Sequence, residues 1–140
     1  MIYLDTSAAV PMFIPEPASD AVDAWYEACT EPLIASDWIL TEFASALSIK
    51  ERRGEVTTKQ ARAAWKDFTA FCNAGIRLLP VTRQAFENAA SMTLKAASGL
   101  RAGDSLHLSV ALEAGASGIA TADAVLAENA KAKGLDVKRF

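Results

Sequence analysis

Short apolar runs alternate along the chain with longer stretches whose apolar residues recur at three- and four-residue steps. The short runs are residues 2–4, 32–35, 76–81 and 118–122, and the more polar residues 136–140 are read as a fifth strand. Such runs read as strands. The longer stretches predict helices over residues 18–29, 37–53, 84–97, 103–114 and 123–133, and one more that starts at Thr57 or Thr58 and runs to about Cys72. Ala21, Val22, Trp25 and Ala28 stripe the first helix; Ile39, Phe43, Ala46 and Leu47 stripe the second. Ala61, Ala64, Trp65, Phe68 and Phe71 stripe the third. Gly54 stops the helix that carries Arg52 and Arg53 in its last turn, and Gly134 closes the final one. Strands alternating with helices imply crossover connections and an α/β fold on a mostly parallel sheet. Such sheets bind ligands beyond the carboxyl ends of their strands, where strand order reverses. The residues that follow strands are therefore where chemistry is expected.

The length of 140 residues fits a single domain spanning the chain. Hydrophobic residues at 51% and charged residues at 22% are ordinary globular usage and exclude disorder, collagen and coiled coil. A net charge of −3 disfavours a protein that coats nucleic acid by bulk charge. It leaves open an enzyme that holds nucleic acid through a metal and a local basic patch. Cys29 and Cys72 have neither zinc-site nor disulfide-framework spacing. No basic segment followed by an apolar run opens the chain, and the apolar stretch at 8–14 is too short for a membrane span. The expected setting is the cytoplasm.

Four acids stand in informative places. Asp5 ends the first strand, in Leu4-Asp5-Thr6-Ser7, and Asp123 ends the fourth, in Ala120-Thr121-Ala122-Asp123. Glu42 borders the apolar stripe of its helix, four residues after Trp38. Asp104 follows Gly103 at a helix start and shares a face with Leu108 and Ala111. Each has an ordinary explanation: helix caps for the aspartates, a glutamate with a packed stem for Glu42. Together they mark one end of a parallel sheet, and several carboxylates in one cleft require a cation. Oxygen ligands suit Mg²⁺ or Mn²⁺ and not zinc.

The ordered set Leu4-Asp5-Thr6-Ser7, Thr41-Glu42, the segment from Leu100 to His107 and Thr121-Ala122-Asp123 resembles the acidic signature of PIN-domain ribonucleases. Length and motif order are similar to VapC-type toxins of type II toxin–antitoxin pairs. The resemblance implies a three-layer α/β/α sandwich around a mostly parallel sheet of four or five strands. It implies an endoribonuclease dependent on Mg²⁺ or Mn²⁺, with Asp5, Glu42, Asp104 and Asp123 as its catalytic acids. Asp5, Asp104 and Asp123 would hold the metal, Glu42 would orient or deprotonate the attacking water, and Ser7 and Thr121 would support the cluster. The partners implied are RNA, a second copy of the chain and a cognate antitoxin. Gly103 is a departure, because the family more often has a larger small-apolar residue there.

His107, the only histidine, reads as a packed residue behind the acids more readily than as a general base. Arg101 is placed to meet a phosphate or to face solvent. Lys50, Arg52, Arg53, Lys59, Arg62 and Lys66 form basic stretches on neighbouring helices that read as a solvated face or a phosphate groove. Trp25, Trp38 and Trp65 read as packing residues. The competing class is a non-catalytic regulator, either receiver-like or binding RNA or protein. Asp5 lacks the acidic neighbour a receiver would have, and the four acids are all present. Neither a GxxxxGK loop nor a GxGxxG turn occurs.

Overall fold

The structure is a computed structural model that describes all 140 residues. The strands are β1 (Ile2–Leu4), β2 (Leu33–Ser36), β3 (Arg77–Leu79), β4 (Gly118–Thr121) and β5 (Asp136–Arg139). The helices are α1 (Thr6–Ala9), α2 (Ser19–Ala28), α3 (Trp38–Arg52), α4 (Thr58–Ala74), α5 (Arg83–Thr93), α6 (Ala102–Glu113) and α7 (Ala124–Ala132). The five strands form one sheet in the order β3-β2-β1-β4-β5, and every pairing is parallel.

Strand alternation sorts the core into two layers. Leu4, Leu33, Ala35 and Ala120 face one side, where α1, α3 and α4 supply Ala8, Ile39, Phe43, Leu47, Ala64 and Phe68. Tyr3, Ile34 and Ile119 face the other, against Ala85 of α5, Leu108 and Ala111 of α6, and Leu126 and Ala130 of α7. Neighbouring strand residues thus point to opposite faces, and helices cover both. This is the α/β/α sandwich expected. The aromatic stack of Phe43 on Phe68, with ring centroids 3.8 Å apart, joins α3 to α4. A capping box closes the start of α4: Thr57 Oγ1 accepts from the Gln60 amide while Gln60 reaches back to the Thr57 amide. The chain winds outward from β1 through β2 to β3, then returns to the other side of β1 as β4. The ends of β1 and β4 flank that reversal, and Asp5 and Thr121 lie there.

Three sequence expectations change. Residues 6–12, which carry no helical period, form α1 and a 3-10 turn at Val10–Met12 with Pro11 near its start. The helix expected over 84–97 starts earlier and stops at Thr93. Thr82 Oγ1 caps Ala85 N, while Thr93 Oγ1 turns to Ser105 Oγ at 2.7 Å and the chain enters a second 3-10 turn at Ala96–Ser98. On α2 only Val22 is buried and Trp25 half-buried, while Ala21 and Ala28 are exposed. Trp25 packs edge-on against Phe140. No helix is long and apolar enough to cross a membrane. Both cysteines are free, and burial pushes the Cys72 thiol up to about 11.

Candidate functional site

Asp5 leaves β1 in extended backbone and caps α1. It is 3% exposed, and its carboxylate is held from one side. Oδ2 accepts from Ser7 N at 3.2 Å, from Ser7 Oγ, and from Thr121 Oγ1 at 2.9 Å. Ser7 Oγ in turn accepts from Ala122 N, and Thr121 Oγ1 accepts from Asp123 N. These bonds stitch the end of β1 to the end of β4, while Asp5 Oδ1 lies 3.5 Å from His107 Nε2. Ser7 and Thr121, expected as supporting hydroxyls, both bond to Asp5.

Glu42 lies one turn into α3, half-buried. Thr6 Oγ1 donates to its Oε2 at 2.6 Å, and His107 Nε2 lies 2.5 Å from the same oxygen. Its Oε1 lies against Gly103. Burial alone would raise this carboxyl; the hydrogen bond and charge of His107, with the Thr6 hydroxyl, overcome that and hold it below its ordinary range. His107 shows the reverse balance. Burial would lower it, but the Glu42 hydrogen bond and the charges of Asp5, Glu42 and Asp104 raise it.

Asp104 is not a helix cap. The backbone of Arg101 fills that position, so α6 starts at Ala102 and Asp104 falls within its first turn. It lies one turn before His107, so the two share a helix face. Asp104 is half-buried, and burial, then the negative charges of Asp123, Asp5 and Glu42, push its carboxyl up. The four acids thus occupy one electrostatic neighbourhood although they come from β1, α3, α6 and the end of β4. Asp123 caps α7: its Oδ1 accepts from Leu126 N at 2.7 Å. Arg101 is exposed at the start of α6 and makes no side-chain cap.

The most compact group of potential ligands is Asp5, Glu42 and His107, with ligand atoms within 4.8 Å of one another. His107 was expected behind the acids and not among the ligands. Its signal was the three-residue step from Asp104. Tyr3, Thr6 and Ser36 also join the site and were not singled out. Tyr3 shares a strand face with Asp5, by the two-residue period, and that alternation was readable. The donor chemistry suits a hard divalent cation. Asp123 has one oxygen committed to a protein donor, Asp5 Oδ1 has only His107 Nε2 at 3.5 Å near it, and the repulsion on Asp104 is what a cation would relieve.

Elsewhere, Lys50 is paired with Glu16 and Glu55, and Arg53 lies near Glu55. Lys59, Arg62 and Lys66 project from α4 into solvent. Trp38 is half-buried beside Glu42, its indole N–H buried without a hydrogen-bond partner. Trp65 packs against Phe68 and is 38% exposed.

A parallel sheet wound outward from its central strand, with acids at the reversal, puts these side chains where open α/β sheets bind their ligands. The PIN domain family matches residues 2–132, and the chain belongs to that family. Among solved structures, the fold is similar to that of Mycobacterium tuberculosis VapC20, a toxin that cleaves the sarcin–ricin loop. That likeness has a TM-score of 0.77 at 17% identity, over 100% of both chains. FitAcB from Neisseria gonorrhoeae aligns with a TM-score of 0.68 at 19% identity, over 98% of this chain and 96% of that one. VapBC2 from Rickettsia felis, bound to a DNA fragment from its promoter, aligns at 0.67 and 14% identity, over 100% and 99%. No curated protein matches the chain in sequence.

Proposed function

We propose that the chain is a divalent-metal-dependent endoribonuclease and the toxin of a toxin–antitoxin pair. The observation that carries this reading is the approach of Asp5 and Glu42 at the strand reversal, with Asp123 joined to Asp5 through Thr121 and Asp104 one turn before the His107 that meets Glu42, in a chain of the PIN family. Asp5, Asp104 and Asp123 are the residues to hold one or two Mg²⁺ or Mn²⁺ ions. A bound ion supplies positive charge at the scissile phosphate and makes a water more acidic. Ser7 and Thr121 fix the orientation of Asp5 through its Oδ2. Glu42 orients the attacking water or takes its proton, and attack at phosphorus breaks the bond to the leaving oxygen. Arg101 is placed to meet a neighbouring phosphate, and Lys59, Arg62 and Lys66 to follow the RNA backbone.

The toxin role rests on the likeness to VapC-type proteins, and the neighbours VapBC2 and FitAB, both bound to DNA, are in keeping with a DNA-binding antitoxin partner. A homodimer and a cytoplasmic setting belong to the same reading, as does a single domain across the chain. The test is incubation of total RNA with the protein in Mg²⁺, in Mn²⁺ and in EDTA. Discrete fragments are expected with either metal and none in EDTA. Intact RNA throughout, or cleavage that persists in EDTA, contradicts the reading.

A further inference from the structure

We infer that Tyr3 and His107 are positioning residues that fix the Glu42 carboxylate, and that His107 stands outside the metal's ligand set. This rests on the nuclease reading above and deepens it.

The observation is a continuous hydrogen-bonded chain from the end of β2 to Glu42. The Ser36 amide donates to the Tyr3 hydroxyl at 3.0 Å, and the Tyr3 and Ser36 hydroxyls share a second bond at 2.9 Å. Tyr3 Oη lies 2.8 Å from His107 Nδ1, and His107 Nε2 lies 2.5 Å from Glu42 Oε2. Ser36, Tyr3 and His107 are all 0% exposed. Three elements, β2, β1 and α6, are therefore tied together by polar groups that water cannot serve, and the line ends on the one glutamate of the site.

The protons can be counted. An ionised carboxylate only accepts, so the hydrogen in the bond to Glu42 sits on Nε2. A nitrogen that carries a hydrogen offers no lone pair to a metal ion. Nδ1 is turned to Tyr3, away from the acids. Neither ring nitrogen is free to ligate while Glu42 holds its place, although the ligand atoms of Asp5, Glu42 and His107 lie within 4.8 Å of one another and Nε2 is 3.5 Å from Asp5 Oδ1. Thr6 Oγ1 donates to the same glutamate oxygen, and Gly103 closes on the other. Glu42 is thus held by α1 and α6 while it stems from α3. A histidine that only filled the core would have no reason to end its chain on this carboxylate. Losing Tyr3 or His107 releases Glu42 into alternative rotamers and so lowers the fraction of molecules ready to react.

The test uses the full chain with His107→Ala, His107→Gln and Tyr3→Phe, each checked for a native melting transition. Three readouts are taken: Mn²⁺ affinity by titration calorimetry, kcat and KM on an RNA oligonucleotide, and the imidazole N–H signals by NMR without metal. In His107→Ala, kcat is expected to fall about 10–100-fold, the range for losing a group behind the reacting shell, with KM unchanged. His107→Gln restores an N–H donor toward Glu42 and is expected to recover part of kcat. Tyr3→Phe is expected to lower kcat in the same direction. Mn²⁺ affinity is expected to hold in all three, since no ligand is lost. The NMR signal of Nε2–H is expected in the wild type and is expected to move in Glu42→Gln. Loss of Mn²⁺ affinity in both His107 variants, or unchanged kcat in His107→Ala, overturns the inference. If the wild type binds Mn²⁺ but cleaves no RNA, the nuclease reading fails by itself. The NMR signal then decides the anchoring of Glu42, and a signal indifferent to Glu42→Gln overturns it.

Discussion

Gly103 presses its bare Cα against Glu42: a β-carbon there would overlap Oε1 and come within 3.4 Å of the Trp38 indole nitrogen. The residue at this helix position therefore sets where the site's glutamate can sit. The sequence marked Gly103 as a departure from the family pattern, and the structure supplies its physical meaning.

The substitution Gly103→Ala separates stability from activity. Alanine favours the helix by about 1 kcal/mol over glycine, which offsets the cost of shifting the Glu42 carboxylate from Thr6 and His107. Thermal stability is expected to stay level or rise slightly, while RNA cleavage falls at least about tenfold because Glu42 must move. Melting curves and initial rates measure the two together. Wild-type cleavage by this variant would show that Glu42 does not need its observed position.

The Asp104 carboxyl is pushed up from its ordinary 3.8 by burial and by the neighbouring acids. A carboxyl raised in the folded state binds a proton there more tightly than in the unfolded chain. It costs stability above the folded value and costs nothing below 3.8. Asp104→Asn is thus expected to raise the melting temperature of the metal-free protein at pH 7, with the gain vanishing as pH falls toward 3.8. A lowered melting temperature at pH 7 would contradict the placement of Asp104 among like charges.

Glu42 and His107 carry opposite signs of the same linkage. Glu42 is held low, so its contribution is present above its ordinary 4.5 and lost as pH falls through the folded value. His107 is held high, so its contribution is full below 6.5 and lost as pH rises through the folded value. The metal-free protein is expected to be most stable between about 4.5 and 6.5 on account of this pair. Melting temperature against pH, compared with His107→Gln, checks it: the variant should lose the alkaline decline. An identical decline in both would place its cause elsewhere.

Phe68 offers a control outside the site. It is fully buried and stacked on Phe43. Phe68→Ala is expected to cost about 3–5 kcal/mol in urea unfolding. A loss under about 1 kcal/mol would mean that α3 and α4 are not joined as described.

The sheet was legible because each buried strand is a short apolar run, and a parallel order followed from the helices between them. The acids were legible because Asp5 and Asp123 follow strands. What was hidden has physical reasons. Four residues of α1 are too short to show a period, so Thr6 read only as a neighbour of Asp5, while its hydroxyl in fact reaches Glu42. The start of α6 was hidden because Arg101, at its N-cap, makes no side-chain cap bond; the face that Asp104 shares with Leu108 and Ala111 was legible. The bond from Tyr3 to His107 spans 104 positions, and no local pattern encodes it.

The most direct test of the account is cleavage of RNA in Mg²⁺ by the wild type, Asp5→Asn and Asp104→Asn side by side, with folding checked by circular dichroism. The account predicts metal-dependent fragments from the wild type and a loss of at least about 100-fold in each folded variant. Wild-type cleavage by either folded variant would contradict it.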